Sequence, residues 1–244
     1  MSTGSESKKI NITPPEGGTT ELIIREGAAP IVHEKLALAQ YKGRLDTPQQ
    51  YHSKKPDYYK PQDCTLVINK DEQTVTFYGQ EREHNFTKVV GKLEGDPDLA
   101  KYHINGTKRW GIKELLQFLK TQRYFFDDKE QHRTLLVNLS QFSANIQTAI
   151  EDKNNDDGSK RKVLERTISG VEMNRVFQLT IPIFKGYKPK VFKVEIGLDS
   201  NDSGVLIYLL SEELFELARH ERDALIAKEE QYFEKWGCAV ITES

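Results

Sequence analysis

The chain has 244 residues, 37% hydrophobic and 30% charged, with a formal net charge of −2. That length buries a real core and holds one large domain or two small ones. The near-neutral balance excludes a dedicated basic coat protein for nucleic acid, while leaving room for a local basic face. No apolar run approaches the ~18–20 residues of a membrane span, and residues 1–11 lack the apolar segment of a signal peptide, so the cytosol is the expectation by elimination. Cys64 and Cys238 lie far apart, outside any Cys-x-x-Cys or Cys/His cluster. They read as small buried hydrophobes in strands of a protein from a reducing compartment.

Residues 1–20, rich in Ser, Thr, Gly, Pro and Lys, predict a disordered arm, and one α+β domain is expected over 21–244. Residues 21–25 (ELIIR) suit a short strand. Residues 34–45 fit a strand or a short helix, since Leu36 and Leu38 alternate with Lys35, Ala37 and Ala39. Thr47-Pro48-Gln49-Gln50 is a helix-start signature, with Thr47 as N-cap and Pro48 as first helical residue, for a short helix to about Lys54. Residues 65–68 and 74–78 are β-branched and aromatic runs around a polar turn, which predicts a hairpin. Residues 86–93 predict a third strand, closed by Gly95 and Pro97.

The middle is helical. Ile112, Leu115, Leu116 and Leu119 share one face of a helix over about 111–122. Asp127 or Asp128 can cap a longer helix reaching about Lys153, with the stripe Leu135, Leu139, Phe142, Ile146, Ala149 and Ile150. That near-heptad spacing suits a core helix packed on a sheet, or an oligomerisation or partner helix carried by Leu135, Leu139, Phe142 and Ile146. Residues 154–162 (NNDDGSKRK) are the best internal boundary. Strands are then expected over 163–168, 176–184, 191–198 and 205–210, at spacings that favour antiparallel hairpins. Ser211 caps a last long helix with Glu212 and Glu213 in its first turn. Its stripe is Leu214, Ala218, Leu225, Tyr232 and Trp236, Gly237 ends it, and residues 238–241 return as a strand. The fold class is α+β: a mainly antiparallel sheet with the two long amphipathic helices packed on one face.

The chain carries no G-x-S-x-G, Walker or G-x-G-x-x-G pattern. His33, His52, His84, His103, His132 and His220 form no H-x-x-x-H or H-E-x-x-H pair, so the expectation is no catalytic residue, no metal and no cofactor. Asp127-Asp128 and Asp156-Asp157 fall where helix caps and turns favour Asp. Asp199 and Asp202 read as a hairpin loop without the Gly and Glu of a calcium loop.

The most suggestive features are basic and aromatic. Tyr51, His52, Lys54, Lys55, Tyr58, Tyr59 and Lys60 lie within ten residues. Rings of this kind stack on bases while lysines neutralise phosphate. Lys185, Tyr187, Lys188, Lys190 and Lys193 follow at an expected hairpin tip, and Lys160, Arg161, Lys162 and Arg166 form a third stretch. The plainer reading is a solvated surface, on which lysines also protect strand edges. The last helix carries eight acids against four bases over 211–235, so the protein is polarised in charge.

Residues 177–186, FQLTIPIFKG, end a strand in an F-x-x-x-I-P-x-F-x-G pattern. An extended 192–198 and a strand entering a long helix follow it, and a helix ending in Ile150-Glu151-Asp152 precedes it. Over 135–226 this resembles the uncharacterised phage and prophage proteins of the YfdQ-like family. The strand after the Pro-x-Phe turn departs from the family's arginine-rich one, reading Lys193-Val194-Glu195-Ile196. The resemblance implies a phage or mobile-element gene found alongside DNA recombination and replication functions, and it brings no established catalytic residue. The expectation is a non-enzymatic accessory protein that contacts DNA or a DNA-processing protein and has no membrane partner. The alternative is a protein–protein module, with homo-oligomerisation open.

Overall fold

The computed structural model describes residues 37–82, 85–151, 174–201 and 204–243. In chain order they form β1 (Ala37–Arg44), α1 (Thr47–Ser53), β2 (Cys64–Asn69), β3 (Thr74–Arg82), β4 (Asn85–Lys92), the single turn α2 (Pro97–Ala100), β5 (Trp110–Gly111) and α3 (Ile112–Thr121). There follow α4 (Lys129–Glu151), β6 (Val176–Pro182), β7 (Pro189–Asn201), β8 (Gly204–Leu210), α5 (Glu212–Trp236) and β9 (Ala239–Glu243). The readings made on 1–20, 21–25, 154–162 and 163–168, with Lys160, Arg161, Lys162 and Arg166, lie outside the described residues. Among the described residues no helix is long and apolar enough to cross a membrane.

The α+β class and the mainly antiparallel pairing hold, but the strands divide into two sheets. The first has the order β1-β4-β3-β2-β9, with β1–β4 and β2–β9 parallel and the two pairs between them antiparallel. The second, β5-β8-β7-β6, is wholly antiparallel. Strict alternation drives both. In β2 the even-numbered residues Cys64, Leu66 and Ile68 are buried, and in β6 it is Phe177, Leu179 and Ile181. One-faced burial of this kind leaves the other face of each strand to solvent.

The two long helices do not share a face. Leu135, Leu139, Phe142 and Ile146 of α4 pack with Leu115 and Leu119 of α3 over the four-stranded sheet. Asp128 caps α4 through N–H bonds from Glu130 (2.8 Å) and Gln131 (3.1 Å). The neighbouring Asp127 accepts from the Thr180 hydroxyl at 2.7 Å, which ties the helix start to β6. α5 leaves β8 at Ser211, whose hydroxyl accepts the Leu214 N–H at 3.3 Å, and it ends at Gly237 in the left-handed region (φ 87°). Its first turns touch both cores through Leu214 and Leu217, and Ile226 and Phe233 then enter the core of the five-stranded sheet. The fully buried positions of its later turns are Ile226, Glu229 and Phe233, with the expected Leu225, Tyr232 and Trp236 flanking them.

At α1 the helix begins one residue early. Thr47 is helical, and the preceding Asp46 makes no side-chain bond to the helix backbone. Asp46 is held instead by Arg44 (2.9 Å) and Gln50 (2.7 Å), which compete for the carboxylate that would have capped. Gly91 admits α1 to the sheet: a Cβ there would lie 2.3 Å from the Leu45 carbonyl oxygen. Cys64 and Cys238 are buried and not joined in a disulfide, and burial pushes the Cys238 thiol up to about 11, far from a reactive value.

Candidate nucleic-acid interface

Part of the first basic and aromatic stretch is committed to the core. Tyr59 is buried and meets the Phe77 ring edge-on, with centroids 5.4 Å apart. The hydroxyl of Tyr51 lies 3.0 Å from that of Tyr59. His52 is also buried, with its Nδ1 2.9 Å from the Tyr232 hydroxyl and its ring 4.0 Å from that of Trp236. Lys55 sits over the Tyr51 and Tyr58 rings at 5.0 and 5.4 Å. Tyr58, Lys54 and Lys60 are exposed. His52 on α1 and Tyr59 beyond it are thus turned inward against β3, where they complete an apolar sheet face, while the Tyr58 ring stays exposed.

In the second stretch Tyr187 packs against the five-stranded core, and burial pushes its phenol up to about 12. Lys190 pairs with Glu221 at 2.6 Å and Lys185 with Glu94 at 3.7 Å, while Lys188 is exposed. The stripe Leu135, Leu139, Phe142 and Ile146 is covered by the chain itself, so it offers no partner surface.

A different basic face emerges from the pairing register. Residues directly opposite across a strand pair share a face. Thr87, Val89 and Gly91 of β4 point into the core, so Phe86, Lys88, Val90 and Lys92 point outward, about 7 Å apart along the strand. Beside them on β1 stand Gln40, Lys42 and Arg44, opposite Lys88, Val90 and Lys92. Across on β3 stand Tyr78 and Thr76, opposite Lys88 and Val90. Tyr78 and Phe86 are 37% and 36% exposed, enough ring for a base to cover. The Lys88 ammonium lies 5.4 Å from the Tyr78 ring. Lys42, Lys88 and Lys92 have no carboxylate partner among the described residues. The signal was present in the sequence as Phe, Lys, Val and Lys at alternate positions from 86 to 92; the pairing with β1 adds Lys42 and Arg44.

At the C-terminal end of the β1–β4 pair the face deepens into a groove of about 570 Å³. Its described lining is Lys42, Gly43, Arg44, Val90, Lys92, Glu94, Lys185 and Gly186. Arg44 is its hinge to the interior. It pairs with Asp46, donates to the Gly186 carbonyl and lies 5.3 Å from the Tyr187 ring centroid.

Behind Arg44 lies a buried polar group. Glu229 is 1% exposed and its Oε2 accepts the Gln49 N–H at 3.2 Å. Glu229 Oε1, Asp46 Oδ1, His52 Nε2 and the Tyr187 hydroxyl are buried without a hydrogen-bond partner among the described residues. Burial, aided by the Asp46 carboxylate, pushes the Glu229 carboxyl up to about 8, against the opposing Gln49 N–H and Lys228. Burial lowers His52.

Among the described residues no three His, Cys, Asp or Glu side chains are grouped to hold a metal ion. No family model matches this chain, and neither a curated protein nor a solved structure is detectably similar to it.

Proposed function

We propose that this protein binds single-stranded DNA across the outer face of the five-stranded sheet, as a non-enzymatic accessory protein of a phage or mobile element. The observation that carries the reading is the row Phe86, Lys88 and Lys92 on β4, flanked by Tyr78 and Lys42 on the neighbouring strands. Rings exposed by about a third offer stacking surfaces that accept any base, and lysines without a carboxylate partner among the described residues offer phosphate neutralisation. Single strands suit this face better than duplex, since stacking needs bases with free faces. The resemblance to the YfdQ-like family supports the setting, that of DNA replication and recombination.

Fluorescence anisotropy with a labelled oligonucleotide, titrated from low to moderate salt, tests the reading. Tyr78→Ala is expected to weaken binding by about 1–3 kcal/mol with the salt dependence unchanged. Lys88→Ala is expected to lower the salt slope by about 0.7, the share of one phosphate contact on a single strand. Absence of binding at low salt would overturn the proposal.

A second reading, a protein–protein module, is favoured by one observation. Phe215 on α5 is 75% exposed between the exposed acids Glu212 and Glu216. An apolar anchor within an acidic rim suits a basic protein partner. This becomes the working reading if DNA does not bind.

A further inference from the structure

The groove at the end of β1 and β4 differs from the rest of the sheet face in charge and in closure. Lys42, Arg44, Lys92 and Lys185 line it against one carboxylate, Glu94. Two of these cations have internal partners, Arg44 with Asp46 at 2.9 Å and Lys185 with Glu94 at 3.7 Å. Lys42 and Lys92 have none among the described residues. Elsewhere on β4 the face carries Lys88 between Tyr78 and Phe86, an arrangement suited to nucleotides in passage.

The Lys185–Gly186 segment forms one wall of the groove and is firmly held. The Lys185 N–H donates to the Glu94 carbonyl at 2.9 Å, and Arg44 donates to the Gly186 carbonyl at 2.5 Å. Gly186 takes a left-handed φ of +77°, and a Cβ there would meet the Arg44 side chain at 2.9 Å. The wall is therefore built for a residue without a side chain, and it leaves its cations facing the cavity. An internal phosphodiester carries one negative charge. A terminal phosphomonoester carries about −1.5 to −2 near neutral pH and presents three acceptor oxygens. A pocket with several convergent cations and a wall is matched to the second species.

Resting on the strand-binding reading above, we propose that this groove holds the terminal phosphate of a DNA strand whose adjoining nucleotides lie over Lys88, Tyr78 and Phe86. Lys42 and Lys92 contact the phosphate, and Arg44 fixes the wall behind it. Glu94 faces the same cavity and repels a second anion.

The test compares one labelled oligonucleotide sequence carrying a 5′-phosphate, a 3′-phosphate or neither, with the full-length protein. One phosphorylated form is expected to bind about 10-fold or more tighter than the unphosphorylated strand, the scale of one charge-assisted hydrogen bond. Lys42→Ala and Lys92→Ala should each reduce that advantage, and the double variant should abolish it. Lys88→Ala should weaken all three strands alike and leave the advantage intact. Equal affinity for the three strands, or an advantage that survives in the double variant, would overturn the terminal-phosphate site while leaving strand binding standing. Failure of all three to bind would instead remove the strand-binding reading itself. A nucleoside monophosphate that bound as tightly as the phosphorylated strand would also overturn the proposal, because it would place a free nucleotide in the groove.

Discussion

Replacing Phe77 with Ala is expected to cost about 3–5 kcal/mol of folding stability, the range for emptying a fully buried aromatic site. Phe77 is fully buried on β3, the middle strand of the five-stranded sheet. Its ring stacks on Phe233 with centroids 5.2 Å apart, meets Tyr59 edge-on at 5.4 Å, and lies 6.0 Å from His52 and 6.4 Å from Trp236. One ring thus joins the sheet to α1, to the turn after it and to α5. These partners come from elements that cannot collapse together without moving the sheet, so the cavity would stay largely open. Urea denaturation of the wild type and Phe77→Ala checks this, with Phe77→Leu expected to lose much less because it refills most of the volume. A midpoint shift worth less than about 1 kcal/mol would show that α5 is anchored elsewhere.

The second large effect concerns pH. Glu229 titrates at about 8 in the folded protein and at ~4.3 in an unfolded chain. The folded state therefore holds the proton more tightly. The stability this confers is fully present below ~4.3 and is lost as pH rises through 8. His52 works in the opposite sense. Burial lowers its folded value below the ordinary histidine value of ~6.5, so its contribution is present above ~6.5 and is lost as pH falls through the folded value. Between pH 6.5 and 8 Glu229 therefore dominates, and stability should fall by up to about 1.4 kcal/mol per pH unit. The groups facing Glu229 are Asp46, Tyr187 and Tyr232, with Lys228 and the Gln49 N–H. Glu229→Gln keeps an acceptor for that N–H and does not titrate. Its stability should be flat across the same window, so its advantage over the wild type should grow by roughly 2 kcal/mol between pH 6.5 and 8. Urea midpoints at four pH values decide it; a variant whose profile parallels the wild type would assign the dependence to other groups.

The local elements were legible because their physics is local. β-Branched and aromatic runs between turn residues marked β2, β3, β4, β6, β7 and β8, the stripe from Leu135 to Ile146 marked α4, and Ser211 and Gly237 marked the ends of α5. Division into two sheets was not legible. It depends on β1 pairing with β4, and β2 with β9, across long stretches of chain, and these parallel partners leave no turn signal between them. The buried face of α5 was read one residue off because Glu229, a carboxylate, stands at its centre and breaks the apolar pattern. The candidate site moved for a related reason. A tyrosine beside lysines looks the same in sequence whether it stacks on a base or on Phe77, and only the docking of α1 decided for Tyr59. The lysines of β4 were hidden inside a strand whose outward face acquired meaning once β1 lay beside it.

The measurement that addresses the central claim most directly is ultraviolet crosslinking of a halogenated single-stranded oligonucleotide to the protein, with the crosslinked residues located by mass spectrometry. Crosslinks concentrated on Tyr78 and Phe86, and lost when salt displaces the strand, are the result expected from the outer face of the five-stranded sheet. Crosslinks confined to the exposed Tyr58 or Tyr124, with Tyr78 and Phe86 untouched, would contradict it.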